Sequence, residues 1–274
     1  MSRPPTAIAD SDPSMWTAAH GYETFMGRWS RRVAVRFLND LHVPPARRWL
    51  DVGCGTGALT TVIAGRCAPS SIVGVDPSPS FLALARERLR DTPETRFEAG
   101  DAENLLFPDG AFDATVTGLT LNFVADAQRA LAEMCRVTRP EGIVAGYVWD
   151  YDHPGFFLTR FWDAIAQVHG HRLPDDERGR WELCSLSGLA KLAAASPLRD
   201  RRVWTIDVDT VFADLDQLWH GFLLGVGPSG SYPLALSADR RDEVRAHLQA
   251  SLPVAADGRV RLTGRALAVV GTRP

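Results

Sequence analysis

The sequence predicts an α/β fold built on a doubly wound, mostly parallel sheet, with a helical segment ahead of it and an insertion behind. Three observations predict it. Short apolar runs of strand length alternate with amphipathic stretches of helical period for about a hundred residues from Arg48. A glycine-rich turn joins the first run to the first helical stretch, and acidic residues stand where the first three runs end.

Taken in order, residues 1–14 carry Pro, Asp and Ser in place of an apolar run and read as a disordered tail. Trp16–Leu41 reads as helical, with Phe25, Trp29, Val33, Phe37 and Leu41 four apart, and Pro44 and Pro45 close it. Strands are expected at Arg48–Val52, Ile72–Val75, Thr95–Ala99, Ala114–Gly118 and Ile143–Trp149. The helices between them are Leu59–Arg66, Ser80–Arg90 and Asp126–Thr138, each apolar on one face. After Trp149 the alternation stops. Tyr151–Asp200 is rich in aromatics, His, Pro and paired charges and reads as an insertion over the open edge of the sheet. Arg202–Phe212 is the next strand, Asp214–Gly225 and Ala238–Leu252 are helices, and Arg259–Thr272 is a last strand reached through the turn at Asp257-Gly258. The chain therefore divides into a tail (1–14), N-terminal lid helices (15–47), a core (48–150), a cap or substrate insertion (151–200) and a C-terminal completion of the sheet (201–274).

With 274 residues, 45% hydrophobic and 23% charged, the chain can bury one sizeable core. A net charge of −3 offers no field to gather nucleic acid or an anionic membrane, which leaves small molecules as the expected partners, for a monomer or a homodimer. Cys54, Cys67, Cys135 and Cys184 are scattered, without zinc-like spacing, and read as thiols in a reducing cytoplasm. No run of about 18 apolar residues suggests a membrane span, and the expected location is cytoplasmic.

The chemistry concentrates in Trp49-Leu50-Asp51-Val52-Gly53-Cys54-Gly55-Thr56-Gly57, where glycines let a ligand lie against bare backbone as a strand turns into a helix. Gly53, Gly55 and Ala58 satisfy the Rossmann dinucleotide fingerprint G-x-G-x-x-A, so an NAD-dependent oxidoreductase is one reading. The surrounding charge argues against it. A dinucleotide brings a pyrophosphate to this helix N-terminus, where a carboxylate at Asp51 repels it. S-adenosylmethionine brings an ammonium and a sulfonium, which Asp51 attracts. Asp76, 19 residues after Gly57, can accept from both ribose hydroxyls, and Asp101 ends the third strand where an adenine amino group needs an acceptor.

The runs LDVGCGTG, VGVDPSPSFLALAR, FEAGDAENLLFPDGAFDATVTGLTLNFV and MCRVTRPEGIVAGYVWD, from about Arg48 to Asp150, resemble the class I S-adenosylmethionine-dependent methyltransferases of the ubiquinone and menaquinone biosynthesis type. The resemblance implies a Rossmann-like seven-stranded sheet with an antiparallel last strand, and S-adenosyl-L-methionine as cofactor. Carried over by position, Asp51, Gly53, Gly55, Thr56 and Gly57 hold the methionine part, and Asp76 holds the ribose. Pro77 and Ser78 lie beside the adenine, Asp101, Ala102 and Glu103 hold its edge, and Leu119 to Leu121 line the sulfonium side. The segment Gly21–Ser30 is similar to the lid helix of related small-molecule methyltransferases and nominates Tyr22, Arg28 and Trp29 as further cofactor contacts.

The methyl acceptor is less legible. Asn122 follows the fourth strand and is a candidate substrate contact. Trp149, Tyr151, Phe156, Trp162, Trp219 and Phe222 are candidates for an aromatic-lined acceptor pocket, which favours a flat natural product such as an indole or polyketide, from secondary metabolism. A magnesium site at Asp150, Asp152 and His153 is not expected, since Leu119 and Thr120 stand where an acid would complete it. His20, His153, His169, His171 and His220 are all possible general bases and none is singled out, so the catalytic residue is unknown. A cofactor binder that has lost its acceptor pocket is the remaining alternative.

Overall fold

The computed structural model describes residues 20–274; the expected tail and the start of the helix at Trp16 lie outside the described residues. A π-helical turn, Glu23–Gly27, runs directly into α1 (Arg28–Leu41). The alternating core follows: β1 (Arg48–Val52), α2 (Ala58–Arg66), β2 (Ser71–Asp76), α3 (Pro79–Arg88), β3 (Thr95–Ala99), β4 (Phe112–Gly118), α4 (Ala127–Val137) and β5 (Thr138–Trp149). Then come α5 (Phe157–His169), a short 3-10 turn at Glu182–Cys184, α6 (Leu186–Ala195) and β6 (Arg199–Phe212). The chain closes with α7 (Leu215–Phe222), α8 (Gly227–Ala235), α9 (Ala238–Ser251) and β7 (Val260–Thr272).

The seven strands form one sheet in the order β3-β2-β1-β4-β5-β7-β6. β1 pairs in parallel with β2 and β4, and β7 runs antiparallel to both β5 and β6. The order reverses beside β1, so the carboxyl ends of β1 and β4 diverge there and leave a crevice, the usual ligand position of such sheets. Local chemistry sets the helix ends around it. Ser78 caps α3 by accepting from Phe81 N, with Pro79 at the first helical position, and Asp126 caps α4 by accepting from Arg129 N.

The long apolar stripe of α1 is core. Trp29, Val33 and Phe37 are 1% exposed or less, and Phe37 packs against Tyr147 of β5 with ring centroids 4.7 Å apart. The same helix seals the free edge of β6: Arg32 donates to the Asp209 carbonyl at 2.7 Å, Arg36 donates to that of Asp207, and Trp204 Nε1 donates to Asp40 at 2.9 Å.

Several boundaries differ from expectation, each for a physical reason. Thr138 begins β5 instead of ending α4, because its hydroxyl donates to Met134 O at 2.7 Å and closes that helix. The 151–200 stretch contains α5 and α6, whose apolar faces are hidden among surrounding aromatics. The helix expected at Asp214–Gly225 stops at Phe222, and α8 follows it through Pro228, Gly230 and Pro233, residues that ordinarily argue against a helix.

Candidate active site

A cavity of about 630 Å³ opens at the carboxyl ends of β1 to β4. Its wall begins with Asp51, the last but one residue of β1, which is fully buried. Thr60 Oγ donates to Asp51 Oδ2 at 2.6 Å, while Oδ1 has no partner. Burial pushes the Asp51 carboxyl up to about 7 against the hydrogen bonds from Thr60, and the neighbouring Asp76 pushes the same way. Such a group becomes a stable carboxylate when a cation arrives beside it.

The glycine loop is held open by neighbours. Gly53 has φ +69, and a Cβ there would stand 2.2 Å from Thr120 Cγ2, so only glycine fits. Thr120 Oγ in turn donates to Gly53 O at 3.0 Å, tying the loop after β4 to the loop after β1. Four backbone donors of the loop are already used: Gly53 N and Cys54 N donate to Val75 O, Gly55 N to Asp76 Oδ2 at 2.9 Å and Gly57 N to Cys54 O. A pyrophosphate needs those N–H groups, so this loop is a poor dinucleotide cradle.

Asp76 also accepts from Ser78 N at 2.9 Å, and burial raises its carboxyl against these hydrogen bonds. Each of its oxygens keeps lone pairs for further donors. Asp101 is exposed at the rim and accepts from Glu103 N at 2.9 Å; Glu103 accepts from Asp126 N. Leu119 lies in the left-handed region with φ 61, a conformation costly for a branched side chain, and its N–H donates to Tyr147 O at 2.7 Å.

The cavity brings together most of the nominated cofactor residues: Tyr22, Asp51, Gly53, Gly55 and Thr56 on one side, with Asp76, Pro77, Ser78, Asp101, Ala102, Glu103 and Leu119 around the other. It does not include Arg28, Trp29, Gly57 or Leu121. Arg28 stacks its guanidinium 4.1 Å from the centroid of Trp29 and 4.8 Å from that of Phe212, and Trp29 is core. Gly57 serves as the left-handed N-cap of α2, and Leu121 is buried against β5.

None of the nominated acceptor residues lines the cavity. Asn122 is buried with an unpartnered Nδ2, and the cap of the following helix is Asp126 in its place. Trp149 and Phe156 pack together at 5.0 Å, Phe222 stacks on Phe161 at 4.1 Å, and Trp219 lies beside them. Trp162 Nε1 donates to Glu177 at 3.0 Å, and Tyr151 packs on Trp181 at 5.1 Å. This concentration of aromatics is a packed core between the sheet and the 151–200 insertion.

Residues not foreseen take part instead. Tyr147, Ser30, Phe81, Phe123 and Val124 line the cavity. Tyr147 lay hidden in the apolar run of β5, and nothing in the sequence singled out Phe123. Phe123 is 64% exposed, and its ring meets Trp181 at 5.4 Å. Tyr22 lies 3.4 Å from Ser30 Oγ, and burial raises the phenols of both Tyr22 and Tyr147. The five histidines considered as bases are absent from the cavity wall. Among the described residues no cluster of three metal-ligating side chains exists, and no helix is long and apolar enough to cross a membrane.

Residues 50–146 match the family of the methyltransferase domain. The match places a methyltransferase domain on the part of the chain that forms the parallel half of the sheet and the crevice. Among curated proteins it is similar to the demethylmenaquinone methyltransferase of Symbiobacterium thermophilum, 36% identical over 119 residues, covering 42% of this chain and 46% of that one. The chain thus spans about half or less of the length of the first curated relatives it matches. Among solved structures it resembles the phosphoethanolamine N-methyltransferase 2 of Haemonchus contortus, with S-adenosylhomocysteine bound (TM-score 0.57, 17% identity, 94% of this chain and 57% of that one). A [4+2]-cyclase shares the fold as well (TM-score 0.51, 23% identity, 89% and 80% covered).

Proposed function

We propose that the protein transfers a methyl group from S-adenosylmethionine to an oxygen, nitrogen or aromatic carbon of a small, flat molecule. The observation that carries this reading is the buried carboxylate of Asp51, with one oxygen unpartnered, at the wall of a cavity whose glycine loop already uses four of its backbone donors. That corner suits an ammonium and rejects a pyrophosphate.

In this reading Asp51 holds the amino group of the methionine part, Asp76 the ribose hydroxyls, and Asp101 and Ala102 the adenine edge, with Pro77 and Phe81 against its face. Bound there, S-adenosylmethionine supplies a methyl group already activated on a sulfonium, so the protein's contribution is alignment and exclusion of water. Leu119 and Tyr147 flank the methionine end. The acceptor enters past Phe123, exposed at the rim, and the half-buried Trp181 that its ring meets. The cytoplasm is the compartment that supplies the cofactor. The similarity to a protein named for demethylmenaquinone agrees with a flat acceptor, as does the aromatic rim.

Incubation with methyl-labelled S-adenosylmethionine and a panel of hydroquinones, phenols and indoles tests it. Transfer of label to a panel member is expected; binding of NAD in preference to S-adenosylhomocysteine in calorimetry overturns it.

A further inference from the structure

Glu23 lies outside the cavity wall, yet it is the most connected acid near it. Its carboxylate accepts from Thr56 Oγ of the glycine loop at 3.0 Å, pairs with Arg88 at the end of α3 at 3.1 Å, and is bonded by Arg31 of α1. Arg88 reaches past it to donate to Thr56 O at 2.7 Å. Partial burial works to raise the Glu23 carboxyl, but Arg31 and Arg88 outweigh it and hold the group below the usual carboxylate range. One side chain thus joins three elements: the π-helical turn of the N-terminal segment, the glycine loop and α3.

The backbone is shaped for this contact. A Cβ on Gly27 would stand 2.5 Å from Glu23 Cδ and Oε1, so a side chain at residue 27 would displace the flexible end of Glu23 from its place over the turn. The turn itself is π-helical, a local irregularity that costs stability and marks functional sites more often than inert ones. One residue earlier, Tyr22 enters the cavity; at the other end of the contact, Thr56 lines it.

We propose that Glu23 is a positioning residue: a latch that fixes the N-terminal segment to the glycine loop, and so sets Tyr22 and Thr56 together around the cofactor. The proposal rests on the cofactor reading above. Opening the latch frees the glycine loop and the Tyr22 end of the segment from each other, while the buried Phe25 and Met26 and α1, anchored by Trp29, Val33 and Phe37, stay in the core. Cofactor entry and sequestration then follow the state of one ion-pair cluster.

The test uses the full-length protein with Glu23→Gln, Glu23→Ala and Gly27→Ala, and Glu182→Gln as a control on a remote surface pair with Lys191. Hydrogen exchange of residues 20–27 and 53–57 is read without ligand, and S-adenosylhomocysteine affinity by calorimetry. The latch predicts faster exchange in both segments and affinity weaker by about tenfold to a hundredfold in Glu23→Ala, the scale of hydrogen bonds to a charged group. Gly27→Ala should do the same without removing any charge, and Glu23→Gln, which can still accept from Thr56, should lose less. Melting temperatures should stay near that of the control. Wild-type exchange and affinity in Glu23→Ala and Gly27→Ala overturn the latch, as does a loss of affinity that merely tracks a fall in melting temperature. If the wild type fails to bind S-adenosylhomocysteine, the cofactor reading falls, while the exchange arm still decides whether Glu23 holds the two segments together.

Discussion

Asp51 provides the sharpest test of the electrostatics. Its carboxyl is raised from 3.8 to about 7 by burial, so the folded protein holds this proton more tightly than the unfolded chain. A raised acid stabilises most when protonated; its contribution is full below about pH 4 and is lost as pH rises towards 7. The whole shift corresponds to on the order of 4 kcal/mol, of which more than half falls between pH 5 and 8. Asp51→Asn keeps the acceptor for Thr60 and removes the titration. Urea unfolding of the ligand-free proteins should therefore show the variant gaining on the wild type by that amount from pH 5 to pH 8. Ligand binding should run the other way: if the ammonium needs the carboxylate, wild-type affinity for S-adenosylhomocysteine tightens by up to about a hundredfold over the same range. The Asn variant should bind weakly and with little pH dependence. Parallel stability curves for the two proteins, or equal affinities at pH 8, refute the reasoning.

Three further outcomes are expected. Asp76→Ala should weaken S-adenosylmethionine binding by about 1.5–3 kcal/mol in calorimetric titration, since it removes charged acceptors for the ribose and releases the Gly55 and Ser78 amides. Gly53→Ala should lower stability by at least about 1–3 kcal/mol in denaturant unfolding and abolish cofactor binding, because the new methyl collides with Thr120 in a backbone region that disfavours it. Trp29→Ala should cost about 3–5 kcal/mol of stability in thermal or urea unfolding, with the loss of cofactor affinity no larger than the unfolding explains, because the indole is core and outside the cavity.

The sheet was legible because its evidence is local and repeated. β1, β2 and β4 are apolar runs bounded by turn residues, and Asp51, Asp76 and Asp101 stand at or just past the ends of β1, β2 and β3, so their convergence on one crevice follows from the parallel pairing. Less legible was the direction of side chains that depends on tertiary packing. Arg28 and Trp29 share a short segment with Tyr22, but the π-helical turn between them rotates α1 so that Trp29 faces Phe212 instead of the cavity. The acceptor aromatics were illegible for another reason: composition cannot separate a ring that lines a pocket from one that fills a core, and Phe156 and Phe222 are fully buried. Glu23 carried no signal at all, since its three partners stand 8, 33 and 65 positions along the chain.

The three strand-end acids, alike in sequence, are chemically distinct in place. Asp51 is buried with an idle oxygen and a raised carboxyl, and so is built to wait for a cation. Asp76 already carries two backbone donors, which fix its plane before any hydroxyl arrives. Asp101 is exposed and braced by the Glu103 amide at the rim, where a flat edge can slide past it. The gradient from buried to exposed carboxylate runs along the crevice in the order in which a molecule with a cationic end, a diol and an aromatic end would lie. Under the proposed reading that ordering is an electrostatic address for the cofactor, and it says nothing of the acceptor. A [4+2]-cyclase and an N-methyltransferase share this fold, so the sheet leaves the chemistry of a second ligand open.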